Sequence, residues 1–389
     1  MVIAKNPFIN REYCTVILPT TCPEKHKQVE QITRNAVFGS MQTDFLIVGQ
    51  GLAGTLLAFE LMEAGFSVQL IDSPQYQKAS LVAAGLINPV VFRRLTKSWL
   101  IDDLYPQLED TYARIEKLLG CRVYFPAKIR KVFGLGEAGF WQKRVNEGLL
   151  SHYLQAETDW SAYPELKMEQ GSGWVEKAGR VDLEALITGF RKYLLQRGAL
   201  IESCFEYSKL SLLTNGVCYE SLQARYLIFC EGHRASQNPF FQAIQFKHTK
   251  GEVFRLETTA YQADFILNKT FFLMPLGGQQ FRMGATYDWD NLNEKPTEQA
   301  KHELCARLEQ TYTGNYRILQ HQAGIRPTTH DRRPVLGLHP QYPQLGIFNG
   351  LGSKGCMLAP YFARLFAASF GSGQDINFPE VSLMRYQQA

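Results

Sequence analysis

No stretch of this 389-residue chain approaches the ~20 consecutive apolar residues that a membrane-spanning helix needs, which excludes a helical membrane protein as the reading of the sequence. The first 40 residues carry no basic start followed by a continuous apolar core, so no secretory leader is read there. The eight cysteines form no C-x-x-C pair, which excludes a thioredoxin-like redox motif and the common zinc-finger spacings. Reduced, mostly buried thiols in a cytoplasmic protein are expected instead. Charge of one sign is also scarce: 41 basic and 37 acidic residues leave a formal +4, too little to imply a nucleic-acid partner. The basic clusters are short (Arg93–Arg94, Arg332–Arg333, and Lys128, Arg130, Lys131), and each is read as solvated surface. No Ser-His-Asp or metal-ligand constellation is found, so no metal is expected.

What the chain does have is glycine in a particular setting. From Thr43 to Asp72 it reads TDFLIVGQGLAGTLLAFELMEAGFSVQLID. An apolar strand runs into Gly49, Gly51 and Gly54 as G-x-G-x-x-G. A helix over Thr55–Ala64 and a second apolar strand, Val68–Ile71, follow, and that strand ends at Asp72. Each part suits an adenine dinucleotide. Gly49 makes the tight turn, Gly51 lets the backbone approach a pyrophosphate, and Gly54 lets helix and strand pack closely. The helix N-terminus, with Leu52 and Ala53 in its first turn, offers N–H groups and partial positive charge to phosphate. Asp72 is placed to meet the ribose hydroxyls, and its charge should repel a 2′-phosphate.

Two other G-x-G-x-x-G matches occur, at Gly134 and Gly350, against roughly 0.2 expected by chance at this glycine content. The six residues before Gly134 are half charged, so they read as at best a half-exposed strand, and the match as a loop. The Gly350 match, GLGSKG, follows an apolar strand and opens an apolar helix near Ser353, with Pro360 in an early turn. No strand follows that helix, so it is not a second nucleotide fold. Its N-terminus nevertheless offers N–H groups and a positive dipole to something negatively charged.

Between these motifs the patterns change. Leu100–Leu119 is an amphipathic helix, Phe140–Tyr153 is helical, and Arg122–Phe125 and Lys128–Phe133 are short strands. After a strand at Gly173–Gly179 and a helix from about Asp182 to Gln196, a meander leads to a buried strand ending at Cys230–Glu231–Gly232. From Gly251 onward, alternating strands with a hairpin turn at Gly277–Gly278 indicate an antiparallel sheet with one exposed face. The expected fold is therefore α/β: a Rossmann-like dinucleotide-binding domain, which the resemblance given below makes FAD-binding, with an interleaved substrate domain on a mainly antiparallel sheet. Residues 41–90, 174–240 and 324–389 are expected in the first, and 91–173 and 241–323 in the second. Residues 1–40 are read as an upstream extension, with Met41 as the natural start.

Taken in order, the Gly49 motif, AAGLINP, FCEG, GEVFRLE, PLGGQQFRMGATYD, GIRP and the terminal GLGSKG resemble the D-amino-acid oxidase family of FAD enzymes, which includes glycine oxidase and sarcosine oxidase. The resemblance covers nearly everything from Gln42 to Phe370. It implies a flavoprotein oxidoreductase, with Gly49, Gly51, Gly54 and Asp72 holding the FAD diphosphate and ribose. It places Ala83, Ala84, Gly85 and Asn88 along the flavin, and puts Gly232 of the FCEG turn among the cofactor-binding positions. It sets Gly350, Gly352, Ser353, Lys354 and Gly355 at the flavin's pyrimidine edge. Arg326 of the GIRP stretch would pair with a substrate carboxylate; the alternative is a structural arginine bound to Asp331 or to a backbone carbonyl. Sarcosine oxidase has a flavin-bonded cysteine where this chain has Gly324, which implies noncovalent FAD.

The implied reaction is oxidation of the C–N bond of a small amino acid or N-substituted glycine, by hydride transfer to flavin N5. Oxygen or another acceptor then takes the electrons. GLGSKG…AP also resembles the oxidase domain of the bifunctional tRNA wobble-uridine modification enzyme, which is the runner-up. A non-catalytic FAD-binding subunit is a third reading. His233, His248 and His330 are candidates for polar contacts, with a structural role as the alternative. Tyr287 and Trp289 are candidates for the substrate wall, with ordinary core as theirs.

Overall fold

The structure is a computed structural model describing residues 41–157, 163–261, 263–373 and 376–386. Residues 1–40, read above as an extension, lie outside the described residues. Two sheets organise the rest.

In the first sheet the parallel strands Leu200–Ile201, Val68–Ile71, Met41–Val48, Leu222–Phe229 and Leu345–Asn349 lie side by side in that order. Gly216–Tyr219 and Val335–Leu338 extend it by antiparallel pairing. Alternation along Phe45–Val48 explains its burial on both faces. Phe45 and Ile47 pack under the helices Leu52–Glu63, Ile101–Leu119, Leu183–Gln196 and Gly355–Ser372. Leu46 and Val48 face a second cluster with Phe229, Val217 and Leu345. A strand buried on both sides reads as a continuous apolar run, which is what made it conspicuous in the sequence.

The second sheet runs Arg317–Arg326, Thr249–Glu257, Gln280–Gly284, Phe272–Gly277, Ile266–Asn268, Tyr124–Val132, Ser172–Val181 and Leu86–Ile87. Every pairing along it is antiparallel except Ile266–Asn268 with Tyr124–Val132. The chain is thus α/β, with an antiparallel-rich sheet interleaved with a parallel one.

Several local expectations are corrected. Ser172–Val181 lies within the second sheet, although the expected segment 174–240 put most of it with the nucleotide unit. Arg317–Arg326 carries the second sheet two residues past Gly324. The helix expected at 140–153 spans Glu137–Asn146, and the two short strands expected around 122–133 form one strand, Tyr124–Val132, with an irregularity between Ala127 and Ile129. From Ile129 to Val132 that strand is buried rather than half exposed. Arg130 is 1% exposed, its guanidinium boxed by Trp174, Phe265 and Tyr163 at 5.0–5.6 Å from the ring centres. Its Nε donates to Ser172 Oγ at 3.0 Å. Lys131 reaches Glu137 at 3.1 Å and the Phe92 ring. Aromatic faces and polar partners let these cations sit inside a sheet that charge alone would place at the surface. Emptying the aromatic box should be costly: Arg130→Ala is expected to lower stability by about 3 kcal/mol, and Arg130→Lys to restore only part, as read from urea unfolding midpoints.

Candidate active site

A cavity of about 570 Å³ opens between the sheets, within the range of small-molecule and cofactor sites. Its walls combine the two glycine loops with the open end of the second sheet. Gly49 has φ +98°, and a Cβ there would stand 2.5 Å from the Cys230 carbonyl oxygen. A Cβ on Gly54 would run into the Gly49 carbonyl. The first helix can therefore lie against its strand only with glycine at both places. No side chain caps the helix at Gly51 and no acid stands in its first turn; the Leu52 amide donates to Ser80 Oγ at 3.0 Å. The terminal helix, Gly355–Ser372, packs beside the first one and also lacks a capping side chain or a first-turn acid. Two helix N-termini thus border one cavity, and the cradle fits a dianionic dinucleotide with a second electron-rich end.

Of the residues expected at the cofactor, Gly49, Gly51, Leu52, Ala53, Asp72, Ala83, Ala84, Gly85, Asn88, Gly232, Gly352, Ser353, Lys354 and Gly355 line this cavity. Gly54 and Gly350 do not. Gly54 sits behind the loop, and Gly350, at φ +75°, lies against Thr329 and the Arg333 carbonyl. Gly85, at φ +74°, leaves room for Val181 and accepts from its amide at 2.8 Å.

Asp72 differs from expectation in its electrostatics. Its carboxylate accepts from the Gln50 amide at 2.8 Å and holds Arg191 at 2.6 Å and Lys78 at 3.0 Å. Two cations beside one anion remove the argument that this corner repels a 2′-phosphate.

Two residues that the sequence did not single out, Asn349 and Ser98, join the loops. Asn349 donates to the Gly232 carbonyl at 2.9 Å and accepts from the Gly350 amide at 2.8 Å. Lys354 donates to Ser98 Oγ at 2.6 Å, and Ser98 donates to the Asn88 carbonyl at 3.0 Å. This relay ties the terminal loop to the loop after the second strand. Burial, and then nearby Arg333, bring the Lys354 amine down to about 8. Glu231 is also in the wall, its two oxygens taken by Tyr207 (2.6 Å) and Asn238 (2.8 Å), and burial raises its pKa.

At the far end stands Arg326, the last residue of its strand. Its guanidinium donates to the carbonyls of Lys250 (3.3 Å) and Thr286 (3.4 Å) and lies over the Tyr287 ring at 4.6 Å. Among the described residues no carboxylate lies within ion-pair reach of it. Asp331, weighed as a structural partner, pairs instead with Arg385 at 3.2 Å. Desolvation lowers the pKa of Arg326 from its ordinary value; a guanidinium nevertheless stays protonated in proteins. Gly251 makes this seat possible, because a Cβ there would overlap the guanidinium. Gly251 pairs with Gly324 across the strands, which sets it diagonal to Arg326 on one face.

His233 lines the cavity and is held neutral, its pKa lowered to about 4 by burial and then by Arg234. His248 stands edge-on behind it at 6.2 Å and is also lowered by burial. His330 packs against Tyr386 away from the cavity. Tyr287 is in the wall, whereas Trp289 is outside it. Among the described residues no cluster of metal ligands occurs, and no helix is long and apolar enough to cross a membrane. Cys121, Cys204, Cys230, Cys305 and Cys356 carry free thiols, two of them buried.

Lys354 gives a pH signature. Its folded value, about 8, lies below the ordinary 10.5, so between those limits the folded chain binds fewer protons than the unfolded one. Stability attributable to this group should rise as pH climbs through that window and fall as pH drops back to about 8. Lys354→Met should flatten this part of the stability curve, measured by urea unfolding at a series of pH values.

The profile of the DAO family, described as FAD dependent oxidoreductase, matches residues 44–369. Glycine oxidase of Bacillus licheniformis is 21% identical over 83% of this chain and 92% of its own length. The uncharacterized oxidoreductase YurR of Bacillus subtilis is 24% identical over 83% of this chain and 93% of its own. The tRNA 5-methylaminomethyl-2-thiouridine biosynthesis bifunctional protein MnmC of Marinobacter nauticus is 28% identical over 38% of this chain, which matches only 26% of that relative's length. Among solved structures, glycine oxidase from Geobacillus kaustophilus superposes with a TM-score of 0.70 at 20% identity, covering 87% of this chain and 98% of the other. Iminodiacetate oxidase from Chelativorans sp. BNC1 gives 0.69 at 20% identity, covering 88% and 98%. With the family profile spanning both glycine loops, both sheets and Arg326, the chain belongs to the DAO family of FAD-dependent oxidoreductases and is an FAD enzyme.

Proposed function

We propose that this enzyme oxidises the C–N bond of a small amino acid or N-substituted glycine, with FAD held noncovalently between the two glycine loops. The observation that carries the reading is Arg326: a partly buried guanidinium at the cavity wall, seated on two carbonyls and one ring, with no carboxylate of its own among the described residues. Its planar fork suits a substrate carboxylate, which it would meet with two parallel hydrogen bonds.

In this reading Gly49, Gly51, Leu52 and Ala53 present backbone N–H groups to the diphosphate, and Asp72, steadied by Arg191 and Lys78, faces the ribose. Ala83, Ala84, Gly85 and Asn88 lie along the ring system. Gly352, Ser353, Lys354 and Gly355 face its electron-accepting edge, where a helix N-terminus and an amine favour gain of negative charge. Gly54 and Gly350 act from behind, by permitting the close packing. Gly324 stands against Val82 and offers no thiol for a covalent link. FAD supplies the two-electron oxidising power.

The chain's own residues bind, orient and set charge. Arg326 fixes the carboxylate and so positions the C–H bond beside the nitrogen. The wall is electropositive: Arg326, Lys354, Arg234 and Lys269 border it. Its acids are already engaged, Asp72 by two cations and Glu231 by two hydrogen bonds. Such a wall disfavours an ammonium and so favours the neutral amine, whose lone pair assists loss of hydride from the adjacent carbon. The resulting imine is hydrolysed by water. No general base is required, and positioning carries the rate.

The 28% identity to the bifunctional tRNA protein keeps a second substrate in view, an N-substituted glycine carried on a tRNA base. Reduction of the flavin by free sarcosine or glycine, compared with reduction by modified tRNA, separates the two. For the main reading, Arg326→Ala should cost about 3 kcal/mol in kcat/KM for a carboxylate substrate, with Arg326→Lys recovering only part. Gly251→Ala keeps the charge but fills its seat, and should reproduce part of the loss at unchanged flavin content. Unaltered kcat/KM in Arg326→Ala would remove the clamp.

A further inference from the structure

Three large apolar side chains stand in the open within one short loop: Tyr287 at 57% exposure, Trp289 at 51% and Leu292 at 42%. Exposed apolar residues scattered singly need no explanation, but a contiguous group bordering a cavity does. Here Tyr287 lines the cavity and carries Trp289 outside it. The Arg326 guanidinium lies 4.6 Å from the Tyr287 ring centre, and Tyr287 stacks on Trp289 at 6.1 Å with 22° between the planes. The series cation, ring, ring runs outward from the cavity wall. Among the described residues Trp289 makes no other ring contact.

The loop that presents these rings is rigidly built. Asp288 exchanges backbone hydrogen bonds with Lys250 at 2.8 and 3.0 Å. Its carboxylate accepts from the amides of Asp290 (2.9 Å) and Asn291 (3.0 Å) and from the Asn291 side chain (3.1 Å). Lys250, whose side chain is fully buried, donates to the Lys295 carbonyl at 2.6 Å and to Asn293 at 3.2 Å, and pairs with Glu252 at 3.2 Å. Glu252 in turn holds the amide and hydroxyl of Thr297. A buried ammonium and a buried carboxylate are thus used to fix a loop whose outer face is aromatic.

We propose that Tyr287 and Trp289 form a subsite for a flat ring carried by the substrate, so that the preferred substrate is an N-substituted glycine or amino acid bearing an aromatic or heteroaromatic group. The proposal rests on the reading of Arg326 as the carboxylate clamp: a carboxylate held there leaves its substituent beside Tyr287, with Trp289 as the next surface outward. The Arg326–Tyr287 contact also fixes the inner ring, so an incoming ring loses little by ordering the site. A planar π-face gains from offset stacking on such a pair in a way that an aliphatic chain does not.

The test compares ligands that share the carboxylate and differ in the ring. Acetate and phenoxyacetate are titrated into the FAD-loaded protein by calorimetry, and kcat/KM is measured for sarcosine and N-benzylglycine. The ring-bearing member of each pair should be favoured about tenfold. Trp289→Ala should bring that preference close to parity, and Trp289→Phe should retain most of it. An unchanged preference in Trp289→Ala, or none in the natural protein, would overturn the subsite while leaving the clamp intact. Arg326→Ala reports separately: loss of both carboxylates supports the clamp, and unchanged binding of both would overturn the clamp and the subsite with it. Competition by modified tRNA without any preference among the free ligands would place the ring on RNA and overturn the small-molecule form.

Discussion

Gly54 lies against the carbonyl of Gly49, and Gly49 lies against the carbonyl of Cys230, at separations that exclude a single methyl group. This contact lets the first helix come down onto the sheet, and the cavity depends on it. The helix N-terminus then opens at the strand ends rather than above them. The terminal helix, packed alongside, brings its own N-terminus to the same place. Asn349 joins the terminal loop to the Gly232 turn, and the Lys354–Ser98–Asn88 relay joins it to the segment after the second strand.

The second sheet places a cation by the same kind of constraint. Arg326 can lie flat on the carbonyls of Lys250 and Thr286 because its diagonal neighbour is Gly251. Glycine at a strand interior usually weakens a sheet. Here it exchanges local propensity for a flat seat on which a guanidinium is held by backbone carbonyls, with no carboxylate paired to it among the described residues. The cost is met by the length of the pairing between Thr249–Glu257 and Arg317–Arg326, which continues on both sides of the gap.

Legibility in the sequence followed burial. Strands sunk on both faces, Phe45–Val48 and Tyr226–Phe229, are unbroken apolar runs, and the glycine loops after them are recognisable from order alone. The expected cofactor residues therefore fall along one cavity, except Gly54 and Gly350, which stand behind its wall. Residues whose role depends on a distant partner left no local trace. Arg130 looked like surface because Tyr163, Trp174 and Phe265 are far from it in the chain. Ser172–Val181 alternates as any strand would, and nothing in it names the sheet it joins. Asp72 sits where an acid was expected, but its neutralisation by Lys78 and Arg191 comes from a loop and from a helix over a hundred residues later. Gly251 is conspicuous as a glycine opening a strand, yet its reason appears only once the register with Gly324 is known.

The crossing of the chain between the two sheets carries a consequence for how such a protein can change. Leu86–Ile87 leaves the parallel sheet and pairs at the edge of the other; Ser172–Val181 hands directly to a helix under the first; Arg326 ends a strand of the second only a few residues before Val335 rejoins the first. No single cut yields either half whole. Neither could be exchanged as a cassette between relatives, and neither would assemble while waiting for the other to be synthesised. New specificity in this architecture has to arise in place, through the loops that overhang the strand ends.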